Sequence, residues 1–239
     1  MLSKTEAIVL NYTKYNESSI IVHVLSEKYG RQSLLVYGIG NGKQNKLGAF
    51  QPLFLLDTQI YYKASASIQK LKEYKLVVPL HSLTQEISKS TLALFLSEVI
   101  HRTVREEFAD ERLYAFVKTA ILVLEEANQG LAYFHLVFLT KLARYMGFMP
   151  DERIDAPYYD FKEGHGVHFK PAHAFYVNKP VLEWLVNFLN APFTEMEQFN
   201  LSKSLRNEIL EALVQLFELH LLNFKSLKSF AVLKEVFSD

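Results

Sequence analysis

The hydrophobic period of this chain changes once, near residue 80, and that change limits what it can fold into. Through residues 5–80 the apolar residues come in short β-rich runs broken by turn residues, and from Thr84 onward they recur at helical spacing. Ile8, Leu10 and Tyr12 predict one face of a first strand, with Lys14 following on the same side. Residues 19–25 read as a second strand buried on both faces, and residues 31–37 as a third. Residues 53–62 read as a fourth, reached through Pro52, and residues 68–78 as a fifth with Lys70 and Lys72 on one face. Five closely spaced antiparallel strands predict a small closed barrel of the OB type. The expected fold class is α+β, with an OB-type barrel over residues 1–80 and a mainly helical domain over residues 81–239.

In the helical part, Ser82 or Thr84 is placed to cap a helix that turns Leu92, Phe95, Leu96, Val99 and Thr103 inward. Asp110 is placed to cap a second, with Leu113, Phe116, Val117, Ala120 and Leu124 inward. Residues 131–146 are apolar on most sides and predict a central helix stopped by Gly147. Pro180 opens another helix, and a long one spans about 201–222 with Leu205, Ile209, Leu213, Leu216 and His220 in one stripe. Residues 150–178 break the pattern with prolines and aromatics and predict a hairpin-like insertion that turns at Glu163-Gly164-His165-Gly166.

The most informative loop is residues 37–48, which holds four of the nine glycines together with Lys43 and Lys46 and no acid. Net charge is zero, but its distribution is uneven. Residues 1–80 carry ten Lys and Arg against five Asp and Glu, and the remainder carries 16 against 21. A basic barrel joined to an acidic body points to a polyanion held by the barrel. Other classes are disfavoured. There is no cysteine for thiol catalysis or thiolate metal sites, and no apolar run approaches the roughly 20 residues that span a bilayer. The N-terminus has no signal-peptide apolar core, and no GxSxG, GxxxxGK[ST], HExxH or helix-opening GxGxxG is present.

The candidate DNA-binding residues are Lys14, Arg31, Lys43, Lys46, Lys63, Lys70 and Lys72, with Tyr12, Tyr15, Tyr37, Tyr61 and Tyr74 as stacking faces. The plain alternative is that these lysines are solvated and these tyrosines fill the barrel. Arg102, Arg105, Lys141 and Arg144 are candidates for a basic, partly apolar partner groove, against the alternative of solvated helix faces. His165, His168 and His173 with Asp160 have spacing tolerable to zinc, but structural zinc sites favour at least two cysteines. Three functions remain open on these residues: a DNA-binding mediator without turnover, a metal-dependent hydrolase or nuclease on the histidine hairpin, and a protein-interaction scaffold.

The order Glu17-Ser18-Ser19, Tyr29-Gly30-Arg31, the 38–46 loop and Gln51-Pro52 resembles the RecO family of bacterial recombination mediators. Residues 138–150, ending Gly147-Phe148-Met149-Pro150, are similar to that family's central-helix signature, and residues 224–229 to its basic tail. The resemblance implies an N-terminal OB domain and a helical domain, and no enzymatic turnover or cofactor. It further implies binding of single- and double-stranded DNA, strand annealing, and help in loading RecA on strands covered by single-stranded DNA-binding protein. Implied partners are RecR, in some settings RecF, and the acidic C-terminal tail of single-stranded DNA-binding protein on the helical groove. The implied location is cytoplasmic and nucleoid-associated. Many relatives carry a four-cysteine zinc site after the central helix. Here residues 150–178 have no cysteine, so no metal is carried over, and Tyr158, Tyr159, Phe161, Phe169 and Phe175 are expected to hold the hairpin by packing.

Overall fold

The structure is a computed structural model that describes residues 1–39, 46–104, 108–149, 154–221, 224 and 227–237. The chain divides into two compact units, Met1–Glu125 and Glu126–Asp239.

The first unit is built on a closed barrel of β1 (Leu2–Asn16), β2 (Ser19–Ser26), β3 (Gly30–Tyr37), β4 (Leu55–Tyr61) and β5 (Gln69–Leu76), in the order β1-β2-β3-β5-β4. β1 is fifteen residues long because it serves two partners. Its start pairs with β4 and its end with β2, and Ala7 and Ile8 pair on both sides. A register shift between Val9 and Asn11 accompanies this change of partner, as a bulge does where a strand must bend. Alternation then sorts the faces. Ile20, Val22, Val24, Leu34 and Val36 are buried inside, while Ile21, His23 and Leu35 are half-exposed outside. The expectation that β2 is buried on both faces is corrected at Ile21 and His23.

The five strands are not all antiparallel. β3 and β5 pair in parallel through Leu34↔Gln69 and Leu35↔Lys70. A closed ring with an odd number of strands cannot alternate direction at every seam, so one parallel seam is obligatory. A 3-10 turn over Lys46–Phe50 lies in the β3–β4 connection, and the fourth strand begins at Leu55 rather than Leu53. Leu53 has φ 65°, a conformation costly for a branched side chain. It is held there by its N–H donating to the Val9 carbonyl at 2.8 Å, while Val9 N–H donates to the Phe54 carbonyl at 2.9 Å.

Three helices complete this unit: α1 (Ser82–Gln85), α2 (Ile87–Thr103) and α3 (Glu111–Glu126, whose last residue opens the second unit). α2 packs against β1 and is buried almost all round, through Leu92, Phe95, Leu96, Val99, Ile100 and Thr103. Asp110 caps α3 as expected, its Oδ1 accepting from Arg112 N–H at 3.0 Å and Leu113 N–H at 2.9 Å. Neither Ser82 nor Thr84 caps α1. The carboxylate of Glu125 does so from outside the helix, accepting from Ser82 N–H at 2.9 Å and Leu83 N–H at 3.0 Å. Burial opposes ionisation of Glu125, but these hydrogen bonds outweigh it and hold the carboxyl below its ordinary range. Lys89, 1% exposed, reaches the same junction and donates to the Glu125 carbonyl at 2.7 Å and to Ser82 Oγ at 2.9 Å.

The second unit is organised around α4 (Leu131–Tyr145), which packs against α5 (Lys179–Asn190), a 3-10 turn over Phe193–Gln198 and α6 (Lys203–His220). Phe134, Leu136, Val137, Phe138, Leu139 and Leu142 are all buried, so the expected central helix is central to this unit. Gly130 precedes it at φ 71°, and a Cβ there would sit 2.8 Å from Glu197 N, so both conformation and space require glycine. Asn178 and Ser202 cap α5 and α6. His220 leaves the expected buried stripe. It is exposed and stacks on Phe148 with centroids 4.3 Å apart. α7 (Ser229–Val236) ends the described chain.

The 150–178 region is more than a hairpin. β6 (Tyr158–Asp160) pairs with both β7 (His165–Val167) and β8 (Tyr176–Asn178), giving a three-stranded sheet with β6 central. Asp160, buried, accepts from Lys162 and Glu163 N–H at its Oδ1 and from His173 Nε2 at 3.0 Å at its Oδ2. Burial raises its pKa, but the hydrogen bonds and His173 more than offset this and hold it below its ordinary range. Tyr159 and Phe161 pack edge to face. Phe169 does not pack as expected and is exposed, because it lies past the end of β7.

The Lys89 junction is a stability determinant. Lys89→Met should leave the Glu125 carbonyl without its charged donor and cost about 1–3 kcal/mol. Thermal unfolding of wild type and variant should then differ by several degrees, and an unchanged Tm would show the junction to be dispensable.

Candidate nucleic-acid interface

Strand pairing brings the sequence candidates of the barrel into a definite arrangement. Thr13 pairs with Ile21, Ile21 with Leu35, Leu35 with Lys70, and Lys70 with Tyr61. This row runs through all five strands. The rows beside it, through Ile20–Val36 and through Val22–Leu34–Gln69, are buried, so the row itself lies on the outer wall. At about 4.8 Å per strand it extends roughly 20 Å along the wall, and OB folds take up from about four nucleotides. Lys70 and Tyr61 stand side by side on it, both exposed.

The β1–β2 hairpin runs on past the row, with Thr13 on the row's face and, by register, Tyr12 and Lys14 opposite Val22 and Ile20 on the other. Every residue from Tyr12 to Ser18 is exposed, so this end of β1 stands clear of the barrel core and presents Tyr12, Lys14 and Tyr15. Asn16 Oδ1 accepts from Ser18 N–H at 3.0 Å and sets the turn. Tyr37 pairs with Ser19, and Ile39 N–H donates to the Ser18 carbonyl at 3.0 Å, which ties the start of the glycine loop to the hairpin. Tyr12, Tyr15, Tyr37 and Tyr61 are 41%, 57%, 53% and 50% exposed, against the plain expectation that they fill the barrel. Only Tyr74 among the five is half-buried, packed on Phe50 at 4.9 Å, and burial raises its pKa.

Lys63 is exposed in the β4–β5 loop, which the buried Gln69 organises. Its side chain accepts from Lys63 N–H at 2.9 Å and donates to the carbonyls of Lys63 at 3.1 Å and Ala66 at 2.8 Å. Gln69 was not a sequence candidate, and a polar residue amid a strand run was the available signal. Lys72 does not share a row with Lys70. The register shifts between Gln59 and Ile60, Leu71 pairs with Ile60 and Glu73 with Gln59, and Lys72 forms an ion pair with Glu73 at 3.4 Å. Lys43 lies outside the described residues, as does the side chain of Lys46.

Arg31 sits elsewhere. Its guanidinium faces the C-terminal end of α2, 3.4 Å from the Val104 carbonyl and 3.3 Å from His101 Nε2. His23 lies beside His101 with ring centroids 5.2 Å apart, and its Nδ1 is 3.0 Å from Ser33 Oγ. Burial first, then Arg31 and His23, push His101 from 6.5 down to about 4. Nearby, Glu6 joins β1 to α3, accepting from Tyr114 Oη at 2.8 Å and Lys118 Nζ at 2.7 Å.

The helical candidates fall in different units. Arg102, in the first, pairs with Glu98 at 3.7 Å, and Arg105 lies outside the described residues. In the second, Arg144 is exposed, while Lys141 is half-buried and donates to the Leu189 carbonyl at the end of α5 at 2.7 Å. Burial, then Arg144, lower the Lys141 pKa. Among the described residues no three His, Asp or Glu are gathered as a metal site, and Asp160 and His173 are spent on each other. No described helix is long and apolar enough to cross a membrane.

Comparison with known proteins covers the whole chain. The family model for the N-terminal part of recombination protein O matches residues 1–80, and that for its C-terminal part matches residues 84–229. The chain is 33% identical to a DNA repair protein RecO of Flavobacterium psychrophilum, over the full length of both. It is 34% identical to that of Bacteroides fragilis and 31% identical to that of Porphyromonas gingivalis, each over 99% of this chain and 100% of the relative.

The His101 cluster makes stability pH-dependent with a definite sign. Between pH 6.5 and about 4 the unfolded chain takes up a proton that folded His101 refuses, so stability falls as pH is lowered through this window. His101→Gln should reduce the pH slope of unfolding free energy there by up to one proton, read by urea titrations at several pH values. Parallel slopes would contradict the assignment.

Proposed function

The chain belongs to the RecO family of DNA repair proteins, and from that premise we propose that it is a non-catalytic recombination mediator whose barrel holds DNA strands. In this reading it binds single- and double-stranded DNA, anneals complementary strands and assists RecA loading on strands covered by single-stranded DNA-binding protein. RecR is the partner, with RecF in some settings. The observation that carries the reading is the juxtaposition of exposed tyrosines with lysines on the barrel's outer row and β1–β2 hairpin. Exposed aromatic rings offer stacking worth about 1–3 kcal/mol per base without sequence preference, and lysines neutralise the phosphates between them. Lys14, Lys63 and Lys70 are the principal phosphate ligands, with Lys43 and Lys46 of the glycine-rich 37–48 segment completing the set. Arg31 and Lys72, each already engaged within the protein, contribute less. The DNA-binding module is taken as residues 1–80 and the partner-binding module as residues 81–239.

Salt dependence tests this. Lys14→Ala/Lys63→Ala/Lys70→Ala should flatten the log–log salt slope on a labelled oligothymidine by about 0.7 per lost contact, with little change in stability because these lysines are exposed. Strand annealing should slow in the same variant. An unchanged slope would move the phosphate site off the outer row.

We further propose that the acidic tail of single-stranded DNA-binding protein docks at the exposed Arg144 in the second unit. Lys141 is a poor probe because its loss would also uncap the Leu189 carbonyl. Arg144→Glu should weaken a tail peptide several-fold and leave oligonucleotide binding unchanged. Equal loss of both ligands, or loss of neither, would reject this docking site.

A further inference from the structure

The small sheet of the second unit has an inner and an outer face. Its middle row, Gly166–Tyr159–Val177, is the inward one: Tyr159 and Val177 are buried, and α5 lies against β6 and β8. The rows on either side, Val167–Tyr158–Asn178 and His165–Asp160–Tyr176, therefore project to the opposite face. Asp160 and Asn178 are the exceptions, the first with its carboxylate drawn into the turn by Lys162, Glu163 and His173, the second with its side chain capping α5.

What remains outward is aromatic and basic. Tyr158 and Tyr176 meet edge to face with centroids 5.7 Å apart, and the Lys170 ammonium lies 5.9 Å from the Tyr176 ring centre. Lys162 lies 5.0 Å from the ring centre of Phe175, which pairs with the buried Phe161 just before β8, so the lysine borders this face rather than standing on it. Phe169, just past β7, is 87% exposed, the most exposed aromatic among the described residues. Alone such a ring would need no explanation, but it is next in sequence to Lys170 and so adjoins the Tyr158–Tyr176 pair, and apolar groups gathered into one exposed patch with polar groups around them mark a contact surface. Through residues 158–179 the bases are Lys162, Lys170 and Lys179. Of the acids, Asp160 is consumed internally and Glu163 stands alone at the turn.

We infer that this outer face is a second contact surface for unpaired polynucleotide, separate from the barrel. Phe169 and the Tyr158–Tyr176 pair stack bases, and Lys170 and Lys162 neutralise adjoining phosphates. The favoured occupant follows from the chemistry: an acidic peptide would use the ammonium groups but has no need of a bare ring, whereas every base has a π-face.

The test uses the full chain, a labelled oligothymidine bearing 4-thiothymidine for photocrosslinking, and the barrel variant Lys14→Ala/Lys63→Ala/Lys70→Ala as background. The expected result is residual binding in that background, crosslinks within residues 158–178, and a fall of about tenfold on adding Phe169→Ala/Lys170→Ala, within the range for a lost stacked base. The added pair should leave the thermal melt unchanged, since both side chains are exposed. Residual affinity insensitive to the pair, no crosslink in this sheet, or complete loss of binding in the barrel variant alone would overturn the inference. So would loss of an oligoglutamate peptide in place of the oligonucleotide. If the barrel variant binds like wild type while the Phe169 pair abolishes binding, the inference stands and the barrel assignment falls, so the two failures are distinguishable.

Discussion

Closure of the barrel through β1 is the constraint on which the first unit depends. Ala7 and Ile8 make backbone pairings with β2 on one side and β4 on the other, and both are fully buried. A strand that serves two partners must be long and must bend, which accounts for its fifteen residues and the irregularity after Val9. Closure also removes the exposed edges that would otherwise invite pairing with another chain. Backbone groups are thereby satisfied within the ring, and what the outer wall offers a ligand is side chains.

That wall is selective in what it leaves uncovered. α2 and α3 are fastened to β1–β3 through Arg31, His101, Glu6, Tyr114 and Lys118, in hydrogen bonds and ion pairs that use up charge. The hairpin end and the Lys70–Tyr61 seam have no such covering, and there the exposed tyrosines gather. The same basic residue types thus play two parts. Arg31 works as an internal brace against a helix end, and Lys14 and Lys63 stand in solvent.

Much of this was legible in the residues. The helical spacing of Leu92, Phe95, Leu96 and Val99 reports directly which atoms leave water, and it holds, whereas the β-branched run of β2 read as buried on both faces and is buried on one. The parallel β3–β5 seam, the bulge that sets Lys72 apart from Lys70, and the third strand at Tyr176–Asn178 were not legible, because pairing between distant segments leaves no local period. The capping of α1 by Glu125 was hidden for the same reason, since Ser82 carries a capping side chain but its partner lies forty-three residues on. At the site, the lysines and tyrosines could be named in advance. Whether each ring was core or surface depended on where the barrel ends, and at Tyr12 and Tyr15 that is decided by how far β1 overshoots its neighbours.

A chain of zero net charge holding a polyanion is no contradiction once distance is considered. Salt screens exposed charges beyond about 8 Å under physiological conditions, so a phosphate responds to the lysines beside it and hardly to the chain's total. The strand neighbours that the register sets beside the Lys70–Tyr61 pair, Leu35, Leu71, Ile60 and Leu2, are not acidic. Two of the five acids of the first 80 residues are engaged elsewhere, Glu6 with Lys118 and Tyr114, and Glu73 with Lys72. Such pairings let a neutral composition still present exposed lysines on the barrel wall. On the proposed reading the tyrosines would add what charge alone lacks, a preference for strands whose bases are unstacked, since a duplex presents phosphates to the lysines but no free base face to the rings.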